Sequence, residues 1–287
     1  MRPPACRRRG GVTIERVVIA LGILITGAIL PLQVAGEGAS GTLVVAGNGP
    51  EMPMIEQLAR TFEKANPRAY IDIMWDDASK PIEMVKSGQA NIAVTGKEEP
   101  GLNATQIGWD GIAVMVNLSN HTKEVTAQQV ADIFTGKVRS WSDLGGPETR
   151  ILLIDRPRNR NVRDAFEQSL GIAGKIPDTA KVIGPDDKVI KTVAGTLPPL
   201  SAVAYLSLGQ ALAAVTTGVA VRLLPLDMVE PEEPTVKDGR YKLRRPVLLL
   251  TRQEANPTVD AFLAFVLSKE AQTIVDNEAY TPLDLKN

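Results

Sequence analysis

Hydrophobic positions along the chain follow two alternating periods. Thr42-Leu43-Val44-Val45-Ala46 is a short apolar run closed by a Gly-Asn-Gly-Pro turn, after which Met54, Ile55, Leu58 and Phe62 recur at helical spacing. Asn66-Pro67 ends that helix, and Tyr70 to Met74 reads as the next strand, which completes a βαβ unit. The same grammar continues. Pro81 to Lys86 reads as a short helix ended by Gly88, and Asn91 to Thr95 and Gly111 to Asn117 as buried strands. Thr126 caps a helix over Ala127 to Phe134, Ile151 to Asp155 is a strand, and Asn161 to Leu170 is a helix. Asp186 caps a helix over Lys188 to Ala194, and strands follow at Ala202 to Leu206, Val219 to Leu224 and Tyr241 to Thr251. A terminal helix from Thr258 to about Asn277 turns Val259, Phe262, Leu263, Val266 and Ile274 inward. The fold class is therefore α/β. The acidic, proline-containing stretch from Pro225 to Asp238 is the one linker-like segment, so any lobes must be interleaved.

Ahead of this pattern, Arg2, Arg7, Arg8, Arg9 and Arg16 precede an uncharged stretch from Val17 to Gly36, 20 residues long and enough to cross a bilayer. The basic flank keeps the cytoplasmic side, so everything after it is expected outside, in the periplasm or on the outer face of the cytoplasmic membrane. Val34-Ala35-Gly36 offers a cleavage site, whereas Pro31 and the length of the run suit an anchor, so residues 1–36 read as a signal peptide or a membrane anchor. Cys6 lies before the apolar run, which excludes the lipid-modified cysteine of a lipoprotein.

Over 287 residues the net charge is -1, with 23% charged and 44% hydrophobic side chains, which excludes a disordered chain and gives no basic field for nucleic acid. Without residues 1–36, which carry five arginines and one glutamate, the net charge falls to -5. An anion site in this acidic remainder must be built from local donors. The single Cys6 and the single His121 exclude a disulfide framework, a Cys/His zinc site and a Cys-His pair. No cofactor, metal or catalytic group is expected.

Three loops could carry chemistry. Asp155 to Arg163 places four arginines, Arg156, Arg158, Arg160 and Arg163, between a strand and a helix, where N–H groups and guanidinium forks suit an oxyanion. The same stretch could equally be a solvated basic turn. Gly47-Asn48-Gly49-Pro50 again joins a strand to a helix and permits close backbone approach, although a tight turn needs glycine for its own reasons. Trp75-Asp76-Asp77-Ala78-Ser79-Lys80 reads as a strand end followed by a helix cap, its adjacent carboxylates pointing apart.

Three further stretches carry a resemblance. Asp110 to Asn117, Ala131-Asp132-Ile133-Phe134-Thr135-Gly136-Lys137-Val138-Arg139-Ser140-Trp141-Ser142-Asp143-Leu144-Gly145-Gly146, and Arg163-Asp164-Ala165-Phe166-Glu167 resemble, in order and spacing, the phosphate-binding proteins of bacterial phosphate ABC importers. Gly239 to Pro246 and Tyr280-Thr281-Pro282-Leu283 extend the resemblance over nearly all of residues 42 to 283. It implies a two-lobed periplasmic-binding-protein type II fold with a ligand cleft, divided as lobe 1 (37–117 and 225–287) and lobe 2 (118–224). It also implies a monomer that binds phosphate or a related oxyanion and works with an ABC permease, without catalysis. Carried over residue by residue, the ligand contacts fall on Arg156, Ser79, Thr95, Asn48, Gly49, Arg163 and Arg160, with Lys97 nearby and Asp76 or Asp77 as acceptor of the anion's proton. The chain departs from the family at Arg160-Asn161-Val162-Arg163, where two hydroxyls are lost. The alternative is a membrane-tethered sensory or interaction module with a degenerate cleft.

Overall fold

The computed structural model describes residues 38–284 apart from 77, 78, 199 and 255, together with Met1. The expected leader or anchor, with its apolar run at 17–36, lies outside the described residues. No helix among the described residues is long and apolar enough to cross a membrane.

β1 (Ser40–Gly47), α1 (Met52–Ala65) and β2 (Arg68–Trp75) form the first βαβ unit, with β1 and β2 parallel. Met54, Ile55, Leu58 and Phe62 are buried on one face of α1, as their spacing requires. α2 (Pro81–Lys86) leads to β3 (Ile92–Thr95), which pairs with β1, and then to the long β4 (Asn103–Asn117). α3 (Ala127–Phe134) opens with a reciprocal cap in which Thr126 Oγ1 accepts from Gln129 N and Gln129 Oε1 accepts from Thr126 N. β5 (Leu152–Asp155), α4 (Asn161–Ser169), β6 (Lys181–Val182), α5 (Asp186–Gly195), β7 (Ala202–Ser207), α6 (Leu208–Thr216) and β8 (Val221–Leu223) follow. α7 (Glu233–Lys237) precedes β9 (Arg244–Thr251), and α8 (Pro257–Val266), α9 (Lys269–Asn277) and β10 (Thr281–Pro282) close the chain.

The strands lie in the order β2-β1-β3-β9-β4-β7-β5-β6, with β8 and β10 also paired to β4. β4 explains the two lobes. Its first half pairs antiparallel with β9, Asn103 opposite Thr251 through Gly111 opposite Arg244, and its second half pairs with β7 from Ile112 opposite Ser207. One hydrophobic core draws on Leu43 to Ile107 and then on Val247 to Tyr280, and a separate one runs from Ile112 to Leu243. That second core is wider than 118–224, because β4 changes partner at Gly111 and Tyr241 turns inward, its hydroxyl donating to Ile112 O at 3.0 Å. A Cβ on Gly111 would lie 2.8 Å from both Leu208 and Val236, so the crossing point has room only for glycine.

Several elements differ from the pattern reading, among them α6, which it did not contain, and α7, which folds within the acidic stretch read as a linker. The terminal helix is two, because Ser268 Oγ accepts from Ala271 N at 3.2 Å and starts α9 as a new N-cap. β4 begins eight residues before Gly111, at Asn103, where alternating polar residues gave no continuous apolar run.

Candidate functional site

The loops after β1, β2, β3 and β5 converge where the two lobes meet. Their shared cavity measures about 280 Å³ and is lined by Asn48, Ser79, Thr95 and Lys97 from lobe 1 and by Asn159 and Asn161 from lobe 2, among others. Asn48 is 3% exposed and joins the lobes: Nδ2 donates to Ser79 O at 3.2 Å and to Asn159 O at 2.9 Å, while its own carbonyl accepts from Arg160 Nη1 at 2.6 Å. Its Oδ1 is buried and has no partner. Ser79 Oγ donates to Gly47 O at 2.8 Å, which holds the α2 entry against the end of β1. Thr95 Oγ1 donates to Asn161 Oδ1 at 3.5 Å and accepts from Lys97 N at 3.4 Å, and Lys97 Nζ meets Asp164 at 2.9 Å. α4 begins at Asn161 with no side chain capping it, so the first N–H groups of that helix are left for other acceptors.

Gly49 is held from beneath. A Cβ there would come 2.0 Å from Glu51 Oε2, so the turn excludes any side chain at this position. Glu51 is fully buried and meets Arg245, which in turn binds Asp110 through Nη2 at 2.7 Å and Nε at 3.0 Å. Ser207 Oγ donates to Asp110 Oδ1 at 2.7 Å. Burial pushes the Asp110 carboxyl up, against the opposing pull of Arg245 and Ser207. The reading of the sequence missed this triad, since Glu51, Asp110 and Arg245 lie far apart in the chain. One signal was available: three ionisable residues each flanking an apolar strand or helix start.

The arginine loop sorts into three kinds of position. Arg163 is locked in lobe 2, with Nε on Glu167 at 2.7 Å and Nη1 on Asp155 Oδ2 and Arg156 O, both at 2.9 Å. Burial works against its charge, but Glu167 and Asp155 more than offset that and hold the guanidinium above its usual value. Tyr205 completes this cluster by donating to Asp155 Oδ1 at 2.6 Å. Arg156 is 2% exposed; Nη2 binds Gly184 O at 2.6 Å and also Asp186, while Nε and Nη1 are buried without partners. Asp186 is thus the first residue of α5 and an arginine partner, with Pro185 at the cap position. Arg160 reaches Asn48, and Arg158 lies exposed beside Asp178.

Asn48, Ser79, Thr95 and Arg160 are brought together where the lobes meet, and Gly49 is in the same turn as Asn48. Arg156 and Arg163 stand behind that surface and do not line the cavity. Asp76 is exposed at the end of β2, and Asp77 lies outside the described residues.

A family model described as a PBP superfamily domain matches residues 33–270. Phosphate-binding protein PstS of Bacillus subtilis (strain 168) is 28% identical over 260 residues, covering 87% of this chain and 84% of that protein. Among solved structures, a phosphate ABC transporter substrate-binding protein from Clostridium perfringens with bound phosphate superposes with a TM-score of 0.75 at 26% identity, covering 85% of this chain and 100% of the other. An ABC-type phosphate transport receptor from Vibrio cholerae gives 0.74 at 22% identity over 84% and 100% of the two chains, a likeness of fold. With most of its length under that family model and the same two-lobed α/β architecture, the chain belongs to the PBP superfamily.

Proposed function

We propose that this chain is an exported solute-binding protein that holds phosphate, or a closely related oxyanion, between its lobes for uptake by an ABC permease. The observation that carries the reading is the 280 Å³ interlobe cavity beside the uncapped start of α4, whose wall joins the neutral donors of Asn48, Ser79, Thr95 and Asn161 to the cations Lys80, Lys97 and Arg158 and the carboxylates Glu83 and Asp164. Such neutral donors and helix N–H groups suit a small anion. The phosphate-binding names of the B. subtilis and C. perfringens proteins support the ligand class.

On this reading Ser79, Thr95, Asn48 and the Gly49 turn supply lobe 1 donors and Arg160 closes from lobe 2. Arg156 contributes its charge from behind the cavity wall, where its Nε and Nη1 have no partner, and Arg163 fixes the loop through the Arg156 carbonyl. The role is binding without catalysis. The basic, apolar N-terminus supports export, with the chain working as a monomer on the outer side of the membrane.

Calorimetric titration of the detergent-solubilised full chain with phosphate tests the proposal, with sulfate as the competing anion. Phosphate binding that weakens at least about tenfold in Arg156→Ala is expected, since one charge-assisted donor is worth roughly 1.5–3 kcal/mol. Undiminished binding in that variant would remove Arg156 from the site. A second reading, a membrane-tethered module with a degenerate cleft, draws on the carboxylates already beside Arg156 and Arg163. Absence of heat with both anions would favour it.

A further inference from the structure

The stretch from Ala131 to Gly146 is the most distinctive motif of the sequence, yet none of it lines the interlobe cavity. It forms instead one wall of a second cavity of about 570 Å³ in lobe 2. Val138 and Arg139 come from the turn after α3, Arg150 from the approach to β5, Leu152 from the first position of β5, and Leu197 and Ser201 from the turn before β7. The two cavities have no lining residue in common. The volume lies within the range of about 300–1,000 Å³ usual for small-molecule sites.

The charge of this wall sets it apart. Among the described residues two arginines line the cavity and no aspartate or glutamate does, in a chain that is net acidic beyond residue 36. Arg139 binds the Gly136 carbonyl through Nε at 2.9 Å, and neither it nor Arg150 meets a carboxylate among the described residues. Arg156, Arg158, Arg163, Arg240, Arg245 and Arg252 each do. Beside the two guanidinium groups, Val138, Leu152 and the 85% exposed Leu197 give an apolar surface open to solvent. Guanidinium forks next to apolar walls suit a molecule with both features.

We propose that this cavity binds a small amphipathic anion, its oxyanion head between Arg139 and Arg150 and its apolar body against Val138, Leu152 and Leu197. An uncharged molecule of the same shape keeps the apolar contact but loses both charge-assisted pairs. Binding here is independent of what the interlobe cavity holds. The site also has a built-in reporter: Trp141 is fully buried and its indole N–H donates to the carbonyl of Ser201, a wall residue, at 3.2 Å.

The test uses the full chain in nanodiscs of uncharged phosphatidylcholine, titrated with benzenesulfonate or its neutral isostere benzenesulfonamide while phosphate is held in large excess. Heat and tryptophan emission follow binding, with Trp141→Phe identifying the reporter. Benzenesulfonate is expected to bind at least about tenfold more tightly than the sulfonamide, and the double variant Arg139→Gln/Arg150→Gln to remove that margin without altering the phosphate titration. Thermal melting checks that the double variant folds; if it does not, Arg150→Gln alone, at an exposed side chain, is read by the same margin. Equal affinity for the two probes, an unchanged margin in the arginine variants, or no heat up to about 10 mM probe overturns the proposal. Competition between benzenesulfonate and phosphate does so as well, because the probe would then occupy the interlobe cavity.

Discussion

At the scale of single residues, the arginine loop shows how one composition yields several roles. Arg156 and Arg163 are both buried, yet Arg163 satisfies Asp155, Glu167 and a backbone carbonyl, whereas Arg156 keeps Nε and Nη1 unpartnered. A buried donor without a partner costs about 1–3 kcal/mol, a cost that, on the proposed function, an anion held near the Arg156 edge would reduce. Truncating Arg163 has the opposite character. Arg163→Ala strands Asp155 and Glu167 and is expected to lower stability by about 3–5 kcal/mol, measured by urea denaturation. Arg163→Lys should recover only part of this, since a single ammonium cannot reach three acceptors in the guanidinium geometry. A loss under about 1 kcal/mol for Arg163→Ala would mean the cluster does not hold the loop. The sequence disclosed that a basic strand-to-helix loop was present. The Arg163–Glu167 pair, four residues apart on α4, was within reach of the sequence, but the pairing of Arg156 with Asp186 and of Arg163 with Asp155 was not, because these partners meet only after α4 and α5 dock on β5.

At the scale of elements, legibility followed the type of burial. α1 was readable because one face is buried and the other solvated, so its 3.6-residue period is written in the residues. The start of β4 was not, because Asn103, Thr105 and Gln106 are polar and the segment is fixed by pairing with β9 instead of by burying an apolar face. The terminal helix pattern was readable across its break, since Val259, Phe262 and Val266 in α8 and Ala271 and Val275 in α9 are all buried, while the Ser268 cap interrupts the backbone. β2 makes a further point about edges. It ends the sheet, and the amide of Ile71 donates to Glu63 Oε1 of α1 at 2.6 Å while that of Ala69 donates to Asn66 O at 2.8 Å. Two amides that could template another strand are thereby occupied. Glu63→Ala should free the Ile71 amide, lower stability by about 1 kcal/mol and increase self-association in sedimentation velocity at high protein concentration. An unchanged sedimentation profile would show that the short edge is protected by other means.

At the scale of the whole molecule, the crossing between lobes is made by β4 and β9, and the Glu51–Arg245–Asp110 triad sits beside it, Asp110 being opposite Arg245 one step from Gly111. The two-lobed fold was legible from the order of elements and the family motifs. The triad was not, because its members are 59 and 135 positions apart and meet only when β9 returns beside β4 and α1 docks at its end. Two carboxylates share one guanidinium in a fully buried cluster, where burial first, and the neighbouring Glu51 second, pushes the Asp110 carboxyl up. Arg245→Met removes the cation and leaves Glu51 and Asp110 facing each other, which is expected to cost about 3–5 kcal/mol at neutral pH. The pH dependence has a definite sign. The Asp110 carboxyl, already raised by burial, would lose the opposing pull of Arg245, so the folded variant holds its proton more tightly than the unfolded chain. Its stability must fall as pH rises through that raised value and recover as pH falls towards the unfolded range near 4. Denaturation of Arg245→Met and the parent chain at about pH 5 and pH 8 should therefore show the smaller gap at the lower pH. A gap independent of pH would mean that packing of the arginine stem, and not its charge, is what the crossing strands require.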